Sequence, residues 1–410
     1  MCYILTVMDA DIDFIEGGTV TSPRGFRAGA TCAGIKKTDR LDLGIIFSEA
    51  PCVTAGVLTG NKVKSAPVLL CQERLMKGSA VAIVANSGCA NAFNGEQGLA
   101  DAEEMATLVA KSIGAEPEDV LVASTGVTGK RLPMERIRAG LNQIALSRDG
   151  GHELARAIMT TDTVPKEAAI AVRAGEVAFT IGGVAKGSGM IHPDLATMFC
   201  FLTTDAAVEL EFLRSALRKA VAVSLNMISV DGDTSPSDTV ILMANGLAGN
   251  KPISARSREA DTFQQALDRV CIYLAKALAR DGEGATRLIE VTVDGAVSIA
   301  EARLVARTII TSPLVKTAVH GADPNWGRIL VAAGRSGAEV VEAKIDLDIG
   351  DINVVRAGRP LPYSELSVVR VFQQSEVPIR LHLNLGTASA TAWGCDLSEE
   401  YVKINSEYMT

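Results

Sequence analysis

The sequence predicts a mixed α/β protein, because two periodicities recur along the chain. Short runs of β-branched residues at 81–85 and 120–123 are typical of strands, and each ends in a turn that contains glycine. Apolar residues recur at helical spacing over about 100–113, 207–224 and 262–279. Strands and helices are therefore expected to alternate or mix, although periodicity alone does not determine their topology.

The last third of the chain is predicted to be rich in strands. Apolar runs lie at 289–294 and 366–372, and residues 356–360 (Arg-Ala-Gly-Arg-Pro) indicate a hairpin turn. The chain contains no repeat of fixed period and no long linker rich in proline and serine.

Composition favours a globular protein with a small-molecule ligand. The chain has 410 residues, of which 48% are hydrophobic, and this is enough for sizeable cores. Its 40 basic and 48 acidic residues give a net charge of −8 without a dense block of lysine and arginine. This pattern disfavours nucleic acid or an anionic membrane surface as a partner. No apolar run approaches the roughly 20 residues that span a bilayer.

Cysteine usage and the first residues predict a reducing compartment, the cytoplasm. Eight cysteines are scattered without paired spacing, as expected for reduced thiols rather than a disulfide framework. Residues 1–13 include a short apolar run but no basic leader, and they turn acidic at once.

The most informative stretch is 182–205, where a glycine-rich turn that contains Lys186 leads to Ala196-Thr197 and an apolar strand. A threonine whose base is its own α-amine must first be exposed by cleavage of the preceding peptide bond, and its hydroxyl can attack that carbonyl. An α-amine has a reference pKa of about 7.7–8.0, so a fraction is neutral near pH 7.5 and can accept the hydroxyl proton. On the pattern alone, a glycine turn before a buried strand explains the same residues.

Further motifs accompany this stretch in a fixed order. They are NSGCANA (86–92), STGVTG (124–129), MTTDTVPK (159–166), SVDGDT (229–234), DGEGAT (281–286), GADPNWGR (321–328) and ASATAWGCDL (388–397). Together with 182–205, these motifs resemble the glutamate N-acetyltransferase family, also called ornithine acetyltransferase. The resemblance extends from about residue 17 to residue 410.

The resemblance implies an α/β fold of layered sheets and helices, of the self-cleaving ornithine acetyltransferase type. It implies a main domain over 1–285 that contains the cleavage site, and a second, smaller α/β lobe over 286–410 whose C-terminal segment returns to the active site. Cleavage at Ala196-Thr197 then gives products 1–196 and 197–410, and two copies of each are expected to form a heterotetramer.

The resemblance also implies roles for single residues. Thr197 is the implied nucleophile, and the Thr125 side chain with the Gly126 backbone forms the implied oxyanion hole, in which donors stabilise developing negative charge. A partly desolvated carboxylate suits the side-chain ammonium of ornithine. The resemblance implies that Glu283 contacts the amino-acid substrate, but it does not specify which group of the substrate. The implied substrate contacts are Thr163, Lys186, Thr197, Glu283, Asn405 and Thr410.

The implied reaction moves acetyl from N2-acetylornithine to Thr197 and then to glutamate, a ping-pong route in arginine biosynthesis. It needs no cofactor. Bifunctional relatives in the family also accept acetyl-coenzyme A, and the sequence does not separate the two kinds.

Two other protein classes compete with this reading. One is an aminopeptidase or amidase on a related self-cleaving fold, and the other is a non-catalytic structural or binding protein. The matches at Glu283, Asn405 and Thr410 argue against the first. The intact set of Ala196-Thr197, Thr125 and Lys186 argues against the second.

Neither a metal site nor a nucleotide loop is predicted. Residues 231–238 resemble a calcium loop, but Pro236 stands where glycine is needed. The four histidines lack metal-ligand spacing, and the spacing of a phosphate loop is absent around Lys186. The family pattern is not matched at Cys89, Asp194 and Asn384-Leu385.

Overall fold

The computed structural model describes residues 11–36, 39–192 and 198–407. Its strands are β1 (Asp11–Phe14), β2 (Phe26–Thr31), β3 (Leu43–Leu58), β4 (Ser79–Cys89), β5 (Val120–Val127), β6 (Lys166–Ala174), β7 (Val177–Lys186), β8 (Phe199–Thr204), β9 (Ile228–Ser229), β10 (Thr239–Ala244), β11 (Leu288–Ala296), β12 (Asp346–Ile349), β13 (Ile352–Arg356), β14 (Arg359–Pro360), β15 (Glu376–His382) and β16 (Ala388–Cys395).

Helices occupy both halves of the described chain. They are α1 (Ala66–Arg74), α2 (Gly95–Ile113), α3 (Met134–Leu141), α4 (Gly151–Ala157), α5 (Leu210–Val223), α6 (Ala260–Arg280), α7 (Ile299–Ile310), α8 (Pro313–His320), α9 (Gly327–Gly334), α10 (Glu365–Phe372) and α11 (Glu399–Glu407). The three helices predicted from periodicity are confirmed as α2, α5 and α6. The strands predicted at 81–85 and 120–123 are confirmed within β4 and β5.

The first sheet follows the order β1-β6-β7-β8-β10-β3-β4-β5, and β2 pairs with β3. Its strand β8 runs parallel to β10, and β4 runs parallel to β5. One buried cluster contains Ala123 of β5, Val184 of β7 and Phe199 of β8, so these strands face a common core. Because residues two apart in a strand share a face, Thr125 and Lys186 are directed to the same side as Ala123 and Val184.

The second sheet follows the order β14-β13-β12-β15-β11-β16-β9. Helix α6 packs against β6 and β7 of the first sheet and against β11 and β16 of the second. The expected layers of sheets and helices are therefore confirmed. Most strands of the second sheet follow residue 285, but β9 precedes it, and the division into 1–285 and 286–410 stays a prediction.

The apolar run at 366–372 was wrongly expected to be a strand, because it forms α10. Val368, Val371 and Phe372 are buried while Leu366 is exposed, and this spacing fits one face of a helix. The hairpin at 356–360 is confirmed, since Arg356 pairs with Arg359. Its loop residues have the positive φ values of 47° and 69° that suit a tight two-residue turn.

Two structural findings bear on the compositional predictions. Across residues 11–36, 39–192 and 198–407, no helix is both long enough and apolar enough to cross a membrane. The cysteines at 32, 52, 71, 89, 200, 271 and 395 are free thiols.

Candidate active site

Lys186 ends β7 and pairs with Phe199 at the start of β8. Phe199 lies two residues after Thr197 in the sequence. The predicted cleavage pair Ala196-Thr197 and the predicted contact Thr410 lie outside the described residues. The described part of the site is therefore built around Lys186.

The Lys186 ammonium donates a hydrogen bond to Thr160 Oγ1 at 2.9 Å and a longer one to Thr125 Oγ1 at 3.4 Å. Lys186 is 3% exposed and Thr125 is 7% exposed. The structure thus brings together two of the predicted site residues, one from β5 and one from β7. Thr160 joins them, although sequence reasoning gave it no role.

The groups around Lys186 shift its pKa in opposite directions. Burial lowers the pKa of the Lys186 ammonium, and the carboxylate of Asp162 opposes this shift most strongly. The cation of Lys166 lowers the pKa further, whereas Asp238 and Glu283 raise it. A buried cation in this position favours the neutral form of any nearby amine.

Asp162 holds the loop that precedes β6 against the end of β7. Its carboxylate accepts from the Thr160 N–H at 2.9 Å, from the Gly187 N–H at 2.6 Å and from the Lys166 ammonium at 2.6 Å. Burial opposes its ionisation, but Lys186 and Lys166 outweigh burial and lower the pKa of Asp162 to about 2. Asp162 belongs to the motif 159–166, yet nothing in that motif identified it as the centre of a buried network.

The predicted contact Thr163 lies on the same network. Its N–H donates to the Asp281 carboxylate at 3.0 Å, and its hydroxyl also donates to that carboxylate. Asp281 accepts from the Lys166 ammonium at 2.6 Å. Thr163 and the motif 281–286 are thereby held side by side. They lie close to the contacting side chains of Lys186, Thr125 and Thr160, here called the Lys186 cluster.

Glu283 and Asn405, both predicted to contact substrate, are in direct contact. The Asn405 amide donates to Glu283 Oε2 at 2.8 Å, and the Glu283 N–H donates to the Ser188 carbonyl at 2.8 Å. A Cβ at Gly189 would lie 2.4 Å from the Glu283 carboxyl, so a larger residue there would displace the Glu283 side chain. Helix α11, which carries Asn405, therefore contacts Glu283, and the backbone of Glu283 is bonded in turn to the segment that follows Lys186.

Gly126 of β5 lies in close contact with the backbone of Gly88 on the neighbouring strand β4. Its φ is +122°, and it pairs with Gly88, whose φ is +100°. A Cβ at Gly126 would lie 2.5 Å from the Gly88 carbonyl carbon. The end of β5 thus requires glycine after Thr125, both for the positive φ and for the close approach of the two strands.

Asp238 is a further buried carboxylate that sequence reasoning missed. It is 2% exposed, and neither of its carboxylate oxygens has a hydrogen-bond partner among the described residues. Burial raises the pKa of Asp238 well above its ordinary value, while the nearby Met198 N–H and the Lys186 charge oppose this shift. Asp238 directly precedes β10, whose Thr239 N–H donates to the Met198 carbonyl at 3.1 Å.

Two of the positions that do not match the family pattern have local contacts. The Cys89 thiol donates to the Lys130 carbonyl at 3.2 Å. Asn384 has a φ of +55°, and its amide donates to the Lys344 carbonyl at 2.7 Å. Asp194 lies outside the described residues.

The chain matches the model of the ArgJ family over residues 27–410. The chain belongs to the ArgJ family. It is 53% identical to the arginine biosynthesis bifunctional protein ArgJ of Dehalococcoides mccartyi, over 98% of this chain and 100% of the relative. The ArgJ protein of Symbiobacterium thermophilum is 51% identical over 97% of this chain and 100% of its own length.

A solved ArgJ structure agrees with this assignment. The crystal structure of the ArgJ protein of Bacillus halodurans is 44% identical to this chain, with a TM-score of 0.50. The match covers 51% of this chain and 98% of the solved chain. Membership of the ArgJ family confirms the predicted family, and the chain is an acyltransferase of arginine biosynthesis.

Proposed function

We propose that this ArgJ-family chain transfers acetyl from N2-acetylornithine to glutamate through an acetyl ester on Thr197. The observation that carries this proposal is the buried contact of Lys186 with Thr125 and Thr160, beside the start of the strand that follows Thr197. An acyl transfer needs a nucleophile, a base and hydrogen-bond donors for the oxyanion. The Thr197 hydroxyl and α-amine are the proposed nucleophile and base, and Thr125 provides one of the donors.

In the first half-reaction the Thr197 hydroxyl attacks the acetyl carbonyl, and its proton passes to the Thr197 α-amine. The Thr125 hydroxyl and the Gly126 N–H stabilise the oxyanion. The bond from the acetyl carbon to the ornithine nitrogen then breaks, and the proton on the Thr197 amine goes to that nitrogen. In the second half-reaction the glutamate amine attacks the ester carbonyl, and the proton that it loses passes to the Thr197 α-amine. The bond from the acetyl carbon to Thr197 Oγ1 then breaks and this oxygen takes the proton, which releases N-acetylglutamate and restores the Thr197 hydroxyl.

The α-amine of Thr197 becomes available through self-cleavage at Ala196-Thr197. The crystal structure from Bacillus halodurans supports this step, because 98% of its chain covers only 51% of the present one. That solved chain is therefore about half as long as this one, as expected of a cleavage fragment. Self-cleavage divides this chain into fragments 1–196 and 197–410.

The substrate lies between the Lys186 cluster and helix α11. Glu283 pairs with the side-chain ammonium of ornithine, and Asn405 leaves its present contact with Glu283 to bind the substrate. Thr163 and Thr410 complete the set of contacts. The reaction needs no cofactor, and acetyl-coenzyme A serves as a second donor in a bifunctional enzyme. We place the enzyme in the cytoplasm as a heterotetramer of two copies of each fragment.

The purified chain, incubated with N2-acetylornithine and glutamate alone, is expected to yield ornithine and N-acetylglutamate in equal amounts. Products are quantified by liquid chromatography and mass spectrometry. If acetate forms in place of N-acetylglutamate, water is the acceptor and the enzyme is an amidase instead.

In the same assay, Glu283→Gln is expected to raise the KM for N2-acetylornithine. The neutral amide keeps the shape but loses the charge-assisted contact, which is worth about 1.5–3 kcal/mol or roughly tenfold to a hundredfold. Glu153→Gln on α4, an exposed glutamate, makes the same chemical change and should leave KM unaltered. Equal KM values for Glu283→Gln and the wild type would remove Glu283 from the substrate site.

A further inference from the structure

A cavity of about 760 Å³ opens beside the Lys186 cluster. Thr160 and Thr163 lie on its wall, and so do the three basic residues Lys36, Arg40 and Arg156. Because Thr160 also accepts the hydrogen bond from Lys186, the cavity adjoins the proposed centre of acetyl transfer. Its volume falls within the range of about 300–1,000 Å³ typical of ligand pockets.

Among the described residues, the wall of this cavity carries three basic side chains and one acidic side chain. Asp162 is its acidic member, and that carboxylate is already bound by the Lys166 ammonium and the Gly187 N–H. In the described part of the chain, neither Arg40 nor Arg156 has a carboxylate within ion-pair distance. Both guanidinium groups therefore lack a fixed counter-ion there.

Lys36 adds a cation that is held in place. Its ammonium donates to the Leu41 carbonyl at 3.0 Å. Burial lowers the pKa of Lys36 to about 8; Lys186 and Arg40 also lower it, whereas Asp42 and Asp162 raise it. An anion bound in the cavity would stabilise the charged form of Lys36 and would therefore raise its pKa again.

We propose that the cavity is an anion subsite of the transfer centre, which binds a second carboxylate or a phosphate group, neither of which ornithine carries. This inference rests on the proposed function. Guanidinium groups bind the oxygens of carboxylates and phosphates in a two-point geometry. One source of such a group is the second carboxylate of glutamate, which Glu283 repels. The other source is the phosphates of a coenzyme A thioester, for which the volume also suffices.

The test measures binding to the full wild-type chain and to the double variant Arg40→Gln/Arg156→Gln by isothermal titration calorimetry. The probes are glutamate, coenzyme A, inorganic pyrophosphate and ornithine. If the anion is the second carboxylate of glutamate, we expect the double variant to raise the Kd for glutamate at least tenfold. If it is a phosphate of the thioester, the Kd values for coenzyme A and for pyrophosphate should each rise at least tenfold. In both cases the Kd for ornithine should rise less than twofold. The ligand that weakens identifies the source of the anion.

The matched control is Arg173→Gln. Arg173 is exposed on β6, seven residues from Lys166 and so about 23 Å away along the strand. This control should leave every Kd within twofold. The inference is overturned if the double variant binds all anions as tightly as the wild type does. It is also overturned if the Kd for ornithine rises as much as the Kd values for the anions.

A pH series gives an independent readout of the same site. Since the pKa of Lys36 is about 8, binding of the anion should weaken as pH rises through 8, and Lys36→Met should remove this dependence. Binding does not require acetyl transfer. If the wild-type chain fails to transfer acetyl but shows these shifts, the proposed function fails while the anion subsite stands.

Discussion

Thr197→Ala is expected to remain a single chain of 410 residues and to lose acetyl transfer. Removal of the hydroxyl takes away both the group that attacks the Ala196 carbonyl and the group that carries the acetyl. Loss of a nucleophile in enzymes of this chemical type lowers kcat by about a million-fold. Denaturing electrophoresis and the product assay measure the two effects on the same preparation.

Thr197→Ser is the matched control, because it keeps a hydroxyl at the same position. It should be cleaved and should retain measurable transfer. If Thr197→Ala still gives fragments with the same ends, the Thr197 hydroxyl does not drive cleavage.

Lys166→Met is expected to destabilise the protein by about 3–5 kcal/mol, because it leaves two buried carboxylates without their shared cation. The Lys166 ammonium lies 2.6 Å from Asp162 and 2.6 Å from Asp281, and its side chain is 1% exposed. Chemical denaturation monitored by circular dichroism measures the change in the free energy of unfolding.

The control for this substitution is Lys77→Met. Lys77 pairs with Asp119 at the same distance of 2.6 Å, but its side chain is 55% exposed. A surface pair is worth about 0–1 kcal/mol. Equal losses for Lys77→Met and Lys166→Met would show that burial does not decide the strength of the Lys166 network.

The pH dependence of stability follows from the same network. The pKa of Asp162 falls from 3.8 to about 2 in the folded protein, so its ionised form stabilises the fold above pH 3.8. That contribution is lost as pH falls from about 4 toward 2. In Lys166→Met the folded pKa of Asp162 should rise, and acid should then unfold the variant at a higher pH than the wild type.

The fold class and the regular elements could be predicted from local patterns. Helices α2, α5 and α6 each bury one apolar stripe, and such a stripe is visible in the sequence. The segment 366–372 was wrongly predicted to be a strand because a short apolar run fits a strand or a helix equally well. The pairing of β9 with β16 joins residues far apart in the chain, and no local pattern reports it.

For the site, too, sequence patterns predicted some of the residues and missed others. The family resemblance identified Thr125, Lys186, Glu283 and Asn405, and the structure places them in two contacting pairs. Sequence reasoning missed Asp238, since its importance lies in a buried carboxylate that has no hydrogen-bond partner within residues 11–36, 39–192 and 198–407.

The basic residues of the cavity were missed for a related reason. Lys36 and Arg40 both lie between β2 and β3, whereas Arg156 lies on α4, and each alone has the pattern of a solvated surface residue. Only tertiary structure brings their charges to one cavity beside Thr160. Charge clusters of this kind depend on contacts between distant segments, which composition and spacing do not reveal.

The intact mass of the purified protein after incubation with N2-acetylornithine tests the central claim most directly. We predict two species, residues 1–196 unmodified and residues 197–410 carrying one acetyl group that is lost on addition of glutamate. A single species of 410 residues that transfers acetyl, or transfer without acetylation of fragment 197–410, would contradict the account.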